Sequence, residues 1–230
     1  MSLDWEYISE LEFDLDFDFL LGHCTFIKSV LQNEQKQLTQ KFNDTLDKIT
    51  EKQKERFYEH FETEQYYIGD LFPSIQWSAM FVVSFNLFEK TINDICKVVK
   101  AISGLETGLK NVKGKGIERA KNYLSKIHNI NVPFSKNEWE RINTFSKLRN
   151  VLSHTSGELD LTQKSHIAVF KIAQKEKAIR IERHDPSFES ADIIVEEDFV
   201  FYSIGIYRKF IRVLLDTIKE KDTKANNSFE

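Results

Sequence analysis

The chain contains very few residues that break helices, with 3 Pro and 8 Gly among its 230 residues. Proline removes a backbone donor and glycine weakens a helix interior, so their scarcity predicts long uninterrupted helices. The sequence has no run of 18 apolar residues, which argues against a membrane-spanning helix. Residues 1–20 carry seven acids and no base, unlike a secretory signal. We therefore expect a cytoplasmic, mostly α-helical protein with no membrane partner.

Cysteine and histidine are too sparse to predict a metal centre. The two cysteines, Cys24 and Cys96, cannot form a disulfide framework or a four-ligand zinc site. We expect both to be buried as small apolar side chains in a reducing compartment. The histidines outside the motif described below show no spacing that suits a shared metal: His23, His60, His128, His166 and His184. No metal and no cofactor is expected.

The first 70 residues form a candidate N-terminal extension. Residues 11–19 alternate strictly between apolar and acidic side chains, a period of two that fits either an edge strand or an irregular helix start. These acids could also mimic phosphate and shield a basic surface, or simply form a solvated edge. From Phe26 to about Tyr67 apolar residues recur at helical spacing, which predicts a long amphipathic helix with a possible break.

Residues 71–222 are predicted to form the main helical domain. Residues from Gly69 to Pro73 are expected to interrupt the helix, and Ser74 is the candidate N-cap of the next one. Residues 75–101 are apolar on nearly all sides, as in a central helix. Ser135 and Glu138 have capping-box spacing at the start of a helix that Gly157 ends. Residues 103–116 are expected to form a basic mobile loop, and helices are expected at 117–127, 162–174 and 197–221. A β-hairpin near 178–196 is expected to have strands at 178–183 and 192–196, joined through Asp185-Pro186. Residues 223–230 are expected to form a disordered tail.

The positive charge is concentrated in the middle of the chain. Residues 97–149 hold twelve Lys or Arg against four acids, a local balance of +8 in a protein whose net charge is −4. A basic stretch of this kind attracts phosphate without base-specific contacts. Its alternative is a solvated lysine-rich surface. The candidate RNA-binding residues are Lys110, Lys113, Lys115, Arg119 and Lys121.

The segment Leu148-Arg149-Asn150-Val151-Leu152-Ser153-His154 ends the helix that begins near Ser135. It resembles the signature of the HEPN superfamily (higher eukaryotes and prokaryotes nucleotide-binding), in which an Arg precedes a His by four to six residues and a polar residue commonly follows the Arg. Ser84-Phe85-Asn86-Leu87-Phe88-Glu89 looks like the second element of that family, an apolar helix that bears one acid. Residues 113–120 are also similar to HEPN proteins near phage-defence and toxin loci. The resemblance covers about residues 72–220.

This resemblance implies an antiparallel helical bundle that cuts RNA without a metal, leaving 2′,3′-cyclic phosphate and 5′-hydroxyl ends. Histidine titrates near neutral pH, which suits His154 to the proton transfers, and the planar fork of Arg149 suits phosphate oxygens. Asn150 would bind phosphate or orient His154, and Glu89 would hold Arg149. The implied partners are RNA, a second copy of the chain, and an antitoxin or another component of a defence system.

Helical geometry separates Arg149 from His154 in one chain. Positions five apart on a helix differ by about 140° and 7.5 Å, so a two-fold dimer that brings two such helix ends together would complete the site. Three alternatives remain at this point. Arg149 could pair with Glu89 or Glu140 while His154 benefits from the helix dipole; the protein could be a non-catalytic HEPN module that binds nucleotide or RNA or scaffolds a partner; or it could be a structural helical assembly protein.

No phosphate-binding glycine loop, no Gly-x-Ser-x-Gly nucleophile elbow and no carboxylate cluster suited to magnesium is present in the sequence. Kinase, P-loop NTPase and serine hydrolase functions therefore have no support.

Overall fold

The computed structural model describes residues 11–183 and 189–226, and these residues are mostly helical with one small sheet. The helices are α1 (Leu11–Leu46), α2 (Glu51–Tyr66), α3 (Phe72–Ser103), α4 (Gly116–Asn122), α5 (Asn137–Thr155), α6 (Lys164–Ala173) and α7 (Glu197–Asn226). The strands are β1 (Glu158–Asp160), β2 (Ile179–Glu182) and β3 (Ser190–Val195). The expected mostly-α class is confirmed.

The alternating segment 11–19 folds as the start of α1, so the edge-strand interpretation is wrong. Phe17 and Leu20 are buried while Asp18 and Phe19 between them are exposed, which is a helical and not a strand pattern. Asp16 lies 3.5 Å from Lys90 and Asp18 lies 2.7 Å from Arg208. Neither cation belongs to the basic stretch 97–149, so these two acids do not shield it.

The long N-terminal helix breaks at residues 47–50, as the sequence allowed, and α2 returns antiparallel along the second half of α1. Phe42 on α1 packs its ring 5.5 Å from that of Phe57 and 4.1 Å from that of Phe61 on α2, measured between centroids. This hairpin, residues 33–66, is the part of the extension in which the two helices pack mainly on each other; we call it the arm.

The predicted punctuation at Gly69–Pro73 is wrong, because the helical path continues from α2 into α3 through a π-helical turn, Tyr67–Leu71. Pro73 lies in the first turn of α3, directly after the π-helical turn ends. Ser74 does not cap the helix; its hydroxyl donates to the Leu71 carbonyl. The whole helical stretch Glu51–Ser103 is long and apolar enough, by length and composition alone, to cross a membrane. In this fold its α3 part packs one face into the core of the bundle.

The helix that bears the Arg-His motif begins later than its sequence suggested. Lys136 precedes α5 without a side-chain cap, and the Ser135 hydroxyl donates to the Val132 carbonyl, so the predicted capping box with Glu138 is not formed. The C-terminal end matches expectation. Gly157 has φ 102°, and a Cβ at this position would lie 2.7 Å from the Ile193 carbonyl oxygen, so only glycine fits there.

The sheet contains one more strand than the sequence indicated. β3 pairs antiparallel with both β1 and β2, in the order β1-β3-β2. The predicted pair β2 and β3 is confirmed, while the Asp185-Pro186 connection lies outside the described residues. Helix α6 and the helix at 117–127, observed as α4 followed by a π-helical turn, also match. The predicted tail begins too early, because α7 continues to Asn226; residues 227–230 lie outside the described part.

The core forms where α3, α5 and α7 meet. Its largest members are aromatic, and Tyr207 of α7 stacks on Phe88 of α3 with 4.8 Å between ring centroids. Both cysteines are free and buried, as expected. Burial raises the pKa of the Cys96 thiol to about 12 and also raises that of Cys24, so both thiols are suited to packing rather than to chemistry.

Candidate active site

Arg149 is held in one orientation by two amide side chains. Its Nε and Nη2 donate to Oδ1 of Asn86 on α3, at 3.2 and 2.7 Å, and its Nη1 donates to Oδ1 of Asn150 at 3.2 Å. The guanidinium carbon also lies 5.7 Å from the ring centroid of Phe85, a cation–π distance. We call Asn86, Arg149 and Asn150 the amide–arginine cluster.

Packing of α3 against α5 explains where this cluster forms. Phe85 and Phe88 of α3 are buried, which turns Asn86 between them toward solvent. Leu148 and Leu152 of α5 are buried in the same way, leaving Arg149 half-buried at the rim. The two helices therefore bring Asn86 and Arg149 together at the edge of their interface, where a guanidinium can reach both an amide and water.

Glu89 does not hold Arg149, so the contact predicted from the sequence is wrong. Among the described residues Arg149 makes no ion pair, either with Glu89 or with Glu140, which also removes the purely structural pairing considered as an alternative. Glu89 faces another element. A Cβ built at Gly116, at the start of α4, would lie 3.3 Å from Glu89 Oε1. Glu89 lies one turn beyond Asn86 on α3. The position of α5 places Arg149 next to Asn86 rather than next to Glu89.

Amide partners leave the positive charge of Arg149 uncompensated. A carboxylate would neutralise the guanidinium, whereas the oxygens of Asn86 and Asn150 orient it and carry no net charge. A guanidinium has five N–H groups, of which three are used here, leaving one on each terminal nitrogen. The cluster thus presents an oriented cation with two free donors, which is the arrangement that binds a phosphate oxygen pair.

His154 lies on the last turn of α5 and is exposed. The part of the chain that the structure describes offers its ring no hydrogen bond or ion pair. Since α5 is helical from Asn137 to Thr155, Asn150 and His154 share a face, and Arg149 points about 140° away from His154. One chain therefore does not direct the arginine and the histidine at the same point.

The predicted RNA-binding residues fall into two groups. Lys110, Lys113 and Lys115 are exposed on the loop before α4. Arg119 Nε donates to the Gly114 carbonyl at 2.9 Å, and Lys121 Nζ lies 5.6 Å from the centroid of the Trp139 ring, so these two cations already have partners. Because Gly116 abuts Glu89, the basic loop lies about one turn of α3 away from Asn86.

A groove that the sequence did not predict opens beside the motif, with a volume of about 630 Å³. One wall is the outer face of α3, including Ile75, Ala79 and Val83. Ser153 and Ser156, which flank His154, line the groove at the end of α5. Arg180 of β2 lies on the opposite wall, 3.2 Å from Asp70 and 3.4 Å from Glu182.

The described residues contain no group of three or more His, Cys, Asp or Glu side chains that could hold a metal ion. Comparisons with protein-family models, with curated proteins and with solved structures each returned no match. The assignment of a function therefore depends on the side chains of the amide–arginine cluster and on His154.

Asn86 is the site residue that sequence reasoning missed. Its signal was present, since it stands in the same six-residue element as Glu89, on the polar side of an otherwise apolar helix. Because carboxylates are the usual partners of arginine, the sequence analysis expected Glu89, and not Asn86, to hold Arg149. The choice between two polar positions one turn apart depends on how α3 and α5 pack, and local spacing does not contain that information.

Proposed function

We propose that the protein is a metal-independent endoribonuclease of the HEPN type, which cleaves RNA to 2′,3′-cyclic phosphate and 5′-hydroxyl ends. The observation that carries the proposal is the pre-oriented and uncompensated charge of Arg149 between two amide oxygens. A cation held in this way stabilises the charge that develops on phosphate during cleavage, and it needs no reorganisation as the reaction proceeds.

In the proposed reaction, RNA supplies its own nucleophile. A general base removes the 2′-hydroxyl proton, the 2′-oxygen attacks the adjacent phosphorus, and the bond to the 5′-oxygen breaks as a general acid protonates it. His154 is assigned to proton transfer and Arg149 to the non-bridging phosphate oxygens. Asn150 shares the face of His154 and can donate its amide N–H₂ to phosphate while its oxygen holds Arg149.

The active form is proposed to be a homodimer, with RNA bound by the exposed lysines of the 103–116 loop. An apolar strip of α3 leads to Asn86: Phe72, Ile75 and Val83 are 52%, 59% and 45% exposed. Burying this strip against a second copy would bring two α5 ends together, and would let Arg149 of one copy act with His154 of the other. A bacterial defence or toxin role, an antitoxin as a further partner, and a cytoplasmic location belong to the same proposal.

The second candidate function is a non-catalytic module that binds RNA or nucleotide. It is favoured by the divergence of Arg149 and His154 within one chain and by the lack of a described partner that would orient His154. Binding would then require Arg149 alone.

One experiment separates the two functions. Purified protein is incubated with single-stranded RNA in EDTA, and wild type is compared with His154→Ala and with His60→Ala, an exposed histidine on the arm. We expect cleavage by wild type and by His60→Ala, and a loss of at least a hundredfold in His154→Ala with RNA affinity nearly retained. Cleavage that disappears in EDTA, or is unchanged in His154→Ala, would refute the proposed mechanism; binding without cleavage by wild type would establish the second function.

A further inference from the structure

Helix α1 carries a second set of large apolar side chains on the face that points away from the bundle. Leu15, Phe19, Phe26 and Val30 are 42%, 73%, 61% and 39% exposed. They recur at helical spacing along one side of α1, and we call them the α1 stripe. The opposite side of the helix is the one that packs on the body, through the buried residues Phe17, Leu20 and Cys24.

Ion pairs fix which face of α1 is turned to solvent. Asp18 pairs with Arg208 of α7 at 2.7 Å, Asp16 reaches Lys90 of α3, and Lys28 pairs with Glu197. These contacts hold α1 across α3 and α7 along its first half, so among the described residues the stripe stays turned to solvent. The exposed apolar side-chain area amounts to about 400 Å², a size at which contiguous patches on monomers commonly mark interfaces.

The spacing of the stripe is symmetric about one point of the helix. Leu15 and Val30 lie equally far from the midpoint between Gly22 and His23, and so do Phe19 and Phe26. Two copies of α1 that cross antiparallel about a two-fold axis at this midpoint would therefore set Phe19 against Phe26 and Leu15 against Val30, twice each. Self-complementarity of this kind is what a two-fold interface requires.

Gly22 occupies the place where two such helices would approach most closely. Glycine inside a helix is destabilising relative to alanine, because it loses more backbone entropy on folding. Within one chain, no described residue accounts for that cost, since a Cβ built at Gly22 meets no atom within 4 Å. A helix crossing would account for it, because small residues at a crossing point let two backbones approach.

Charge along α1 favours the same antiparallel arrangement. From residue 11 to 21 the helix carries four acids and no base, whereas from residue 23 to 41 it carries Lys28, Lys36 and Lys41 against Glu34. Antiparallel pairing sets residues 11–21 of one copy beside residues 24–34 of the other, which keeps the two acidic segments apart, whereas parallel pairing would lay them side by side; Lys36 and Lys41 lie beyond this overlap. The acidic half also disfavours an anionic membrane surface as the occupant of the stripe.

We propose that the α1 stripe is a homotypic interface in which two copies pair antiparallel about the midpoint between Gly22 and His23. The buried apolar area of about 400 Å² per copy is half of what a standard interface buries, so this association is weak, with dissociation in the micromolar range or above. The interface is separate from the α3 and α5 face, and it does not rest on the proposed ribonuclease function. A protein that uses both faces would join pairs into tetramers or longer arrays.

Cysteine cross-linking tests the register. Two copies of residue 23 would lie within about 2 Å along the helix axis, whereas two copies of residue 19 would lie about 10 Å apart. Under mild oxidation, His23→Cys should give a covalent dimer at least tenfold faster than the control His60→Cys. A mixture of Phe19→Cys and Phe26→Cys proteins should cross-link faster than Phe19→Cys alone. Cys24 and Cys96 are buried and contribute little background.

Gly22→Trp tests the close approach without removing a core residue, because the indole would project into open space within one chain. In sedimentation velocity from 1 to 100 μM, the variant should form smaller assemblies than wild type at each concentration, because it loses only the association through the α1 stripe, with thermal unfolding unchanged or shifted upward. Three results would each overturn the proposal. His23→Cys could cross-link no faster than His60→Cys, or Phe19→Cys could cross-link with itself as readily as with Phe26→Cys. The third is that Gly22→Trp leaves association unchanged. The cross-links are read without RNA, so failure of the proposed ribonuclease activity would leave this test intact.

Discussion

At the residue scale, the candidate site depends on a neutral amide, Asn86, that holds the charged guanidinium of Arg149. The sequence suggested Arg149, Asn150 and His154 as candidates, because they stand at the spacing of a family motif at the end of one helix. It did not identify Asn86, because the distance between α3 and α5 and their relative rotation decide whether residue 86 or residue 89 meets the guanidinium. The observed choice matters chemically, since an asparagine orients Arg149 and leaves its charge available.

Substitution of Asn86 tests this role. Asn86→Ala removes the acceptor of two Arg149 N–H groups, so we expect cleavage to fall roughly tenfold to hundredfold, the equivalent of about 1.5–3 kcal/mol for hydrogen bonds to a charged group. Asn86→Asp keeps the geometry and adds a neutralising charge, so we expect RNA affinity to fall although thermal stability is retained or raised.

Glu89→Gln is the matched control, one turn away on the same helix, and it should leave both RNA affinity and cleavage within about twofold of wild type. Cleavage rates and binding anisotropy are measured on the same preparations. Asn86→Asp that binds RNA as tightly as wild type, or Glu89→Gln that loses activity as Asn86→Ala does, would contradict the role given to Asn86.

At the element scale, the sequence predicted helices with strong apolar periodicity and missed those features that are set by contacts distant in sequence. α3, α5 and α7 bury one face each, and their apolar spacing made them predictable. β1 has three residues and exists because β3 pairs with it, so no local pattern announced it. The π-helical turn Tyr67–Leu71 contains Gly69 and is followed by Pro73. Glycine and proline usually end a helix, but here the helical path continues through them.

Arg141 on α5 links the turn that follows α6 to α7, and its removal gives a prediction at this scale. Its Nη1 and Nη2 donate to Glu176 at 2.7 and 2.8 Å, and its Nε donates to the Tyr202 hydroxyl at 3.1 Å. Glu176 raises the pKa of the Arg141 guanidinium through these hydrogen bonds. Because the pair is half-buried, Arg141→Met should lower the free energy of unfolding by about 1–3 kcal/mol, measured by denaturant titration.

The control for Arg141→Met is Lys54→Met on the arm, which removes a more exposed ion pair with Glu51. Exposed pairs of this kind contribute little, because water screens the charges and ordering two long side chains costs entropy, so we expect a clearly smaller loss. Equal losses from the two substitutions would show that the Arg141 network does not brace the bundle.

At the scale of the whole molecule, the divergence of Arg149 and His154 means that the proposed mechanism requires two chains to assemble. If the two groups act across a two-fold interface, inactive Arg149→Ala and His154→Ala subunits should complement each other when mixed. Random association makes half of the dimers mixed, each with one intact composite site of two, so about a quarter of wild-type activity should return. His154→Ala mixed with the double variant Arg149→Ala/His154→Ala is the control, and it should stay inactive. No recovery in the first mixture would mean that both groups act within one chain or that the protein acts as a monomer.

The chemistry of the cut ends tests the central claim most directly. An RNA oligonucleotide that the protein cleaves at a mapped position is compared with the same oligonucleotide carrying a single 2′-deoxy nucleotide on the 5′ side of that bond, both in EDTA, and the products are identified by mass spectrometry. The account predicts a 2′,3′-cyclic phosphate and a 5′-hydroxyl from the RNA, and no cleavage at the deoxy position, because the attacking 2′-hydroxyl is missing there. Cleavage at the deoxy position, or a 5′-phosphate on the downstream product, would contradict it.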